Sequence, residues 1–454
     1  MESSPKSLGP AAGRIAAAKA AVAEGDFDGA VAQMRGMAQD GGEDDRRQAL
    51  DVLDTLLSAA ELHAPGLLER SRLRAAAGDL VGAIQDAASA VAAEPRSADA
   101  YALLAEHMAT AGRLDEATLF GFEALKAEPW DPARYTTLAG HLRKQKAYEA
   151  AEELLRTAGP LAPHDIGIVL ARMDCLEHLG RVSEAADVGA AARQRFADDV
   201  RLLRALGGTL SAAGQGAQAL DVFQYLLRVA PDDGYARHMA GALTGASPAK
   251  ADSGYVRAVF DKIAPEFDDV MLNTLRYRGP ALIARAVKHH AGSRVLRILD
   301  LGCGTGLCGL MLREVASYLK GIDISPGMAA IARGKEIYDE IDVADVTEAL
   351  AADAGTYDVV TAGDTLAYFG ALEALLHQVK AHLAPGGLFV FSVEGTSDAV
   401  PYRLTASGSF AHGREELRRL ASVCGFEVRQ MDDENLRLSG GKPVSGLVTT
   451  FKSA

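Results

Sequence analysis

The sequence predicts two architectures in one chain: an all-α solenoid of helical hairpins, then an α/β domain on a mostly parallel sheet. Two observations carry this. Small residues and prolines recur every 34 residues through the first half. In the second half the apolar run Ile298-Leu299-Asp300-Leu301 breaks into Gly302-Cys303-Gly304-Thr305-Gly306. Strand and helix patterns alternate beyond it, as a doubly wound sheet requires.

The repeat is read from three positions. Ala83, Ala117, Ala151, Ala185 and Ala219 follow one another at 34 residues, and so do Pro95, Pro129 and Pro163, with Pro231 at twice that step. Gly78, Gly112, Gly180 and Gly214 share the period, with Lys146 in the remaining slot. This is the period of tetratricopeptide (TPR) repeats. The glycine ends the first helix in a left-handed conformation, the alanine lets the second helix pack closely, and the proline closes the unit. Repeats are expected at 64–97, 98–131, 132–165, 166–199 and 200–233. Gly25 and Ala30 suggest an earlier hairpin at 11–40, the segment 43–62 reads as an out-of-register helix, and 234–243 reads as a cap.

At 454 residues the chain exceeds one core. The expected domains are 1–245 (repeats), 246–254 (a small, polar linker) and 255–454 (the α/β domain). A net charge of -14 argues against nucleic acid as the main partner. Cys175, Cys303, Cys308 and Cys424 form no C-x-x-C. The histidines lack paired ligand spacing, so no metal is expected. With no apolar run of membrane-spanning length and no signal-peptide pattern at Met1, a cytoplasmic enzyme fits.

The α/β half carries the chemistry. A strand that breaks into glycines before a helix exposes bare backbone to a ligand. A second apolar run ends in an acid at Gly321-Ile322-Asp323-Ile324, where a carboxylate can grip two ribose hydroxyls. Gly304-x-Gly306-x-x-Gly309 matches the dinucleotide pattern, but there the first glycine should follow the strand directly. Read from the strand end, the loop is D-x-G-x-G-x-G. With Leu383-Ala384-Pro385-Gly386-Gly387 before the strand Leu388 to Phe391, it resembles the class I S-adenosylmethionine-dependent methyltransferases. Further strands are expected at Ile341 to Val343 and Tyr357 to Val360, helices at 306–315, 326–335 and 372–383, and a closing antiparallel pair at 426–428 and 444–448.

The resemblance covers about residues 255 to 452. It implies a Rossmann-like, mostly parallel seven-stranded sheet and S-adenosyl-L-methionine as cofactor. It places Asp300 and the backbone of Gly302, Gly304 and Gly306 at the methionine end, and Asp323 with Ile324 at the ribose. Asp345 and the Val346 amide fall at the adenine, although Asp345 also reads as a helix N-cap. Gly363 and its loop then lie beside the transferring methyl. Candidates for orienting or deprotonating an acceptor are Asp364, Tyr368 and His412, each with a bland alternative as a wall, capping or surface residue. The segment Tyr255 to Asp268 is similar to a cap helix, with Tyr255, Phe260, Phe267 and Tyr277 as apolar walls.

The whole chain is similar to a bacterial group of methyltransferases that carry TPR repeats. That resemblance does not identify the acceptor; the cap-like segment 255–268 favours a small-molecule or carrier-bound one, with the repeats docking a protein partner or self-associating. The alternatives are a protein methyltransferase whose groove recruits the substrate, and a non-catalytic adaptor. First-helix residues Asp99, Glu106, Thr136, Arg143, Lys144, Asp174, Glu177, Arg201 and Arg204 would line that groove. No asparagine precedes Asn273, so a lysine-and-asparagine carboxylate clamp is not expected.

Overall fold

The computed structural model describes residues 10–246, 248–292, 295–396, 400–439 and 442–454. It divides into two compact units, Met1–Arg195 and Phe196–Ala454.

The first unit is helical hairpins. Pro10–Glu24 and Phe27–Met34 form the early pair, and Glu43–Ala59 follows as a single long helix. Four hairpins then repeat: Ala64–Ala76 with Leu80–Ala93, Ala98–Thr110 with Leu114–Ala127, Pro132–Lys144 with Tyr148–Leu161, and Ile166–His178 with Val182–Arg193. Ala30, Ala83, Ala117, Ala151 and Ala185 are each fully buried, as close helix packing demands. The hairpin turns need positive φ, and Lys146 adopts it (61°) where the neighbouring repeats have glycine. The period also includes a position absent from the sequence-based signature. His63, Ser97, Asp131, Asp165, Asp199 and Asp233 stand 34 residues apart, and each side chain accepts a hydrogen bond from the backbone as a helix N-cap. Between the first helices of neighbouring hairpins, Arg143 pairs with Asp174 at 2.5 Å.

The second unit begins with a further hairpin, Val200–Ala212 and Gly216–Val229, and the helix Gly234–Thr244. These join the sheet domain through polar and aromatic contacts. His238 Nε2 lies 2.7 Å from the Gly408 carbonyl, and the Tyr255 ring stacks on His238 at 4.7 Å.

Nine strands form the sheet among the described residues: β1 (Leu296–Leu301), β2 (Ala316–Asp323), β3 (Glu340–Val343), β4 (Tyr357–Ala362), β5 (Leu383–Thr396), β6 (Tyr402–Leu404), β7 (Phe410–Gly413), β8 (Phe426–Ser439) and β9 (Lys442–Ser453). The order is β3-β2-β1-β4-β5-β7-β6, with β9 antiparallel to β5 and β8 antiparallel to β9. The count exceeds the expected seven because β5 outruns β4. Its end, Glu394–Thr396, pairs in parallel with β7, and β6 adds to that edge. Ile298, Leu299 and Leu301 are fully buried because a central parallel strand is covered on both faces. The order reverses between β1 and β4, and ligands of such sheets bind at the strands' carboxyl ends at that point.

Candidate functional site

A cavity of about 280 Å³ opens there, lined by the loops after β1 to β4, by the 250–280 segment and by Arg437 of β8. The glycine loop forms its floor. Gly302 and Gly304 take φ of 64° and 57°. A Cβ on Gly302 would strike Thr365 Oγ1 at 2.3 Å, so that glycine is required by close packing. A Cβ on Gly304 would meet only the Phe267 ring at 4.0 Å, so its backbone faces open space. Gly306 does not line the cavity; its Cβ would press on Ile337 at 2.9 Å.

Asp300 is also absent from the lining. It is buried beneath the loop, accepting from Tyr338 Oη at 2.7 Å and Thr361 Oγ1 at 2.8 Å. Burial pushes its carboxyl up to about 6 against those two bonds. It therefore acts on the cavity through the loop above it.

Asp323 ends β2 and lines the cavity. Its Oδ2 accepts from the Gly304 amide at 2.8 Å and its Oδ1 from the Ser325 amide at 2.8 Å. Each oxygen keeps acceptor capacity. Burial raises this carboxyl above its ordinary value, and the two amides oppose that shift. Ile324 lies beside it in the wall.

Asp345 is an N-cap on the Thr347 amide at 2.9 Å, and it lines the cavity next to Val346. Its oxygens are already crowded. Oδ2 accepts from Lys250 Nζ at 2.5 Å and Ser253 Oγ at 2.7 Å, and Oδ1 from the Thr347 amide and hydroxyl. Burial opposes ionisation, yet these partners hold the carboxyl well below the usual range. Lys250 and Ser253 belong to the segment expected as a linker. That segment pairs instead with the loop after β4: the Ala251 amide donates to Tyr368 O and the Gly370 amide to Ala249 O, both at 2.9 Å.

Gly363, Asp364 and Tyr368 all line the cavity. Asp364 sits in the left-handed region at φ 63°, uncommon for a residue with a side chain. Its Oδ2 accepts from Arg437 Nη1 at 2.8 Å, and Arg437 also pairs with Glu394. Burial raises the Asp364 carboxyl, and the arginine offsets part of that. Tyr368 packs edge-on against Phe260 at 5.4 Å.

The structure does not bring His412 to the cavity. It lies within β7 and is 1% exposed, neither beside the cavity nor at the surface. Burial holds its imidazole down to about 4, a neutral group beside the backbone of Leu366 and Phe369. Tyr255 likewise faces Tyr235 and His238, whereas Phe260, Phe267 and Tyr277 do line the cavity. Sequence reasoning missed Lys250, Ser253 and Arg437. The alternation around Leu436-Arg437-Leu438 was the available signal for a strand carrying Arg437, and it says nothing of which way that strand faces.

All four cysteines are free and buried, and no metal-binding cluster occurs among the described residues. No described helix is long and apolar enough to cross a membrane.

Residues 257–431 match the family model described as a methyltransferase domain. The second unit carries a methyltransferase domain. Over 143 residues the chain is 38% identical to a demethylmenaquinone methyltransferase of Thermus thermophilus, covering 29% of this chain and 62% of that one. It is 27% identical over 140 residues to a malonyl-[acyl-carrier protein] O-methyltransferase of Bacillus cytotoxicus, covering 30% of this chain and 48% of that one. The chain thus spans about half the length of these relatives. Among solved structures, a Burkholderia thailandensis 1,6-didemethyltoxoflavin-N1-methyltransferase with bound S-adenosylhomocysteine is 20% identical, covering 44% of this chain and 88% of that one at a TM-score of 0.36.

Proposed function

We propose that this chain transfers a methyl group from S-adenosylmethionine to a small-molecule or carrier-bound acceptor. The joined pair of Gly304 and Asp323 is the observation that carries the reading. Bare backbone faces the cavity at Gly304, and each Asp323 oxygen retains a lone pair for one of two adjacent hydroxyls. The charge of the lining supports a cationic cofactor. Asp323, Asp345 and Asp364 outnumber Lys250 and Arg437, and both cations are paired within the chain. A dinucleotide's pyrophosphate would meet repulsion here, since phosphate binding needs a positive field.

When bound, the cofactor supplies a methyl already activated on a sulfonium. The chain's part is placement and exclusion of water. Asp323 holds the ribose, Ile324 and Val346 flank the adenine, and the backbone of Gly302, Gly304 and Gly363 receives the methionine end. Asp345 reaches the adenine amino group only by sharing an oxygen already engaged by Lys250 and Ser253 or by Thr347. Phe260, Phe267 and Tyr368 close the apolar side.

The repeats serve docking of a protein partner in this reading. The competing reading makes that partner the methyl acceptor, and the adaptor reading removes catalysis altogether. Labelled S-adenosylmethionine added to a lysate with the full chain, and with a form lacking residues 1–195, separates them. Label in the low-mass fraction with both proteins supports a small acceptor. Label on a protein that vanishes with the truncation favours protein methylation. No labelled product beside a stable captured partner favours the adaptor. Calorimetry with S-adenosylhomocysteine and NAD tests the cofactor directly, and binding of NAD alone would sink the reading.

A further inference from the structure

Asp345 stands beside Val346 at the adenine end of the cavity in the reading above, yet the chain itself saturates it. An ionised carboxyl group has about four lone-pair sites. Lys250 Nζ and Ser253 Oγ take two on Oδ2, at 2.5 and 2.7 Å. The Thr347 amide and hydroxyl take two on Oδ1, at 2.9 and 2.6 Å. A further donor has no free site there.

The cation at the same end is not saturated. An ammonium carries three N–H donors, and Asp345 takes one from Lys250. Thr347 Oγ1 stands 3.4 Å away, beyond the ordinary length of such a bond. The Lys250 side chain is 29% exposed against 8% for Asp345, and it lines the cavity with Ser253, Ile324 and Val346. It is also firmly placed. The backbone at Lys250 bridges to Phe369, and Asp252 caps the following helix on the Tyr255 amide at 2.8 Å. The ammonium lies 5.0 Å over the Phe369 ring. A cation fixed in this way is a donor prepared in advance for a ligand.

We propose that Lys250, rather than Asp345, meets the purine of the cofactor, donating to a ring nitrogen beside the amino group. This rests on the methyl-transfer reading and specifies how its cofactor is recognised. The choice follows from donors and acceptors. The adenine amino group only donates, so it offers nothing to an ammonium and finds no free site on a saturated carboxylate. N1 and N7 flank that amino group, and both accept. Lys250 is therefore a cofactor-binding residue, and Asp345 is a positioning residue that orients the ammonium. The base is read by its ring acceptors, and its amino group is dispensable.

The test is calorimetric binding to the full chain of S-adenosylhomocysteine, its analogue lacking the amino group, and its 1-deaza and 7-deaza analogues. The deaminated analogue should bind within about threefold of S-adenosylhomocysteine, and one deaza analogue at least about tenfold more weakly. Lys250→Met removes the donor and Asp345→Ala releases it, so each should shrink that deaza deficit to about threefold or less. The comparison of ligands on the wild-type chain stands even where a variant fails to fold. A deaminated analogue bound tenfold more weakly overturns the proposal, by returning recognition of the amino group to Asp345. Two deaza analogues that bind as S-adenosylhomocysteine does also overturn it. So does a deaza deficit that persists in either variant, including a uniform loss for every ligand, which would leave the pair a purely structural role. Failure of the wild-type chain to bind S-adenosylhomocysteine overturns the methyl-transfer reading itself.

Discussion

The Gly304 amide donates to Asp323 Oδ2 at 2.8 Å, tying the glycine loop after β1 to the acid that ends β2. The two halves of the site are one hydrogen-bonded unit, so a change at either end displaces the other.

Asp323→Ala should weaken S-adenosylhomocysteine binding by about 2–4 kcal/mol, through loss of two charge-assisted bonds. Asp345→Asn should cost less, because the chain's own donors already occupy the Asp345 oxygens. Calorimetry on both variants checks the ranking. An equal or larger loss at Asp345 would mean that Lys250 or Ser253 yields to the ligand.

Gly302→Ala and Gly304→Ala should fail in different ways. The first drives a methyl into Thr365 and should lower folding stability by several kcal/mol. The second meets open space, so it should cost about 1 kcal/mol from its positive φ alone and act mainly on ligand affinity. Denaturant unfolding read beside ligand titration separates the two.

Lys146→Gly should stabilise the repeats by about 1 kcal/mol, since φ 61° strains any residue with a Cβ. Ala151→Leu, one turn further on, should destabilise them by about 1–3 kcal/mol, because Ala151 is fully buried in a close helix contact. Chemical denaturation followed by circular dichroism reads both.

His412 should make the fold acid-sensitive. Its imidazole is held down to about 4 in the folded chain, against an ordinary value near 6.5, so the unfolded chain binds more protons between those values. The stability contributed is full above pH ~6.5 and falls as pH drops through ~4, by about 3 kcal/mol in total. His412→Gln should remove that slope, seen as a smaller fall in Tm between neutral and acidic pH. An unchanged slope would assign the acid sensitivity to other groups.

The amino-acid sequence by itself determined the features whose causes are local. The 34-residue hairpins are set by a glycine, an alanine and a capping residue at fixed offsets within one unit. The glycine loop and Asp323 were legible because each sits at the end of a short apolar run, Leu299 and Ile322 being fully buried. Only the tertiary structure decided what meets across long separations. Lys250 reaches Asp345 from 95 residues away, and Arg437 reaches Asp364 from 73. Neither pairing leaves a periodic trace, because each depends on which strands adjoin and which face is turned inward. His412 moved from candidate base to buried core for the same reason. Its neighbours Phe410 and Ala411 continue a strand only because β5 extends far enough to pair with them.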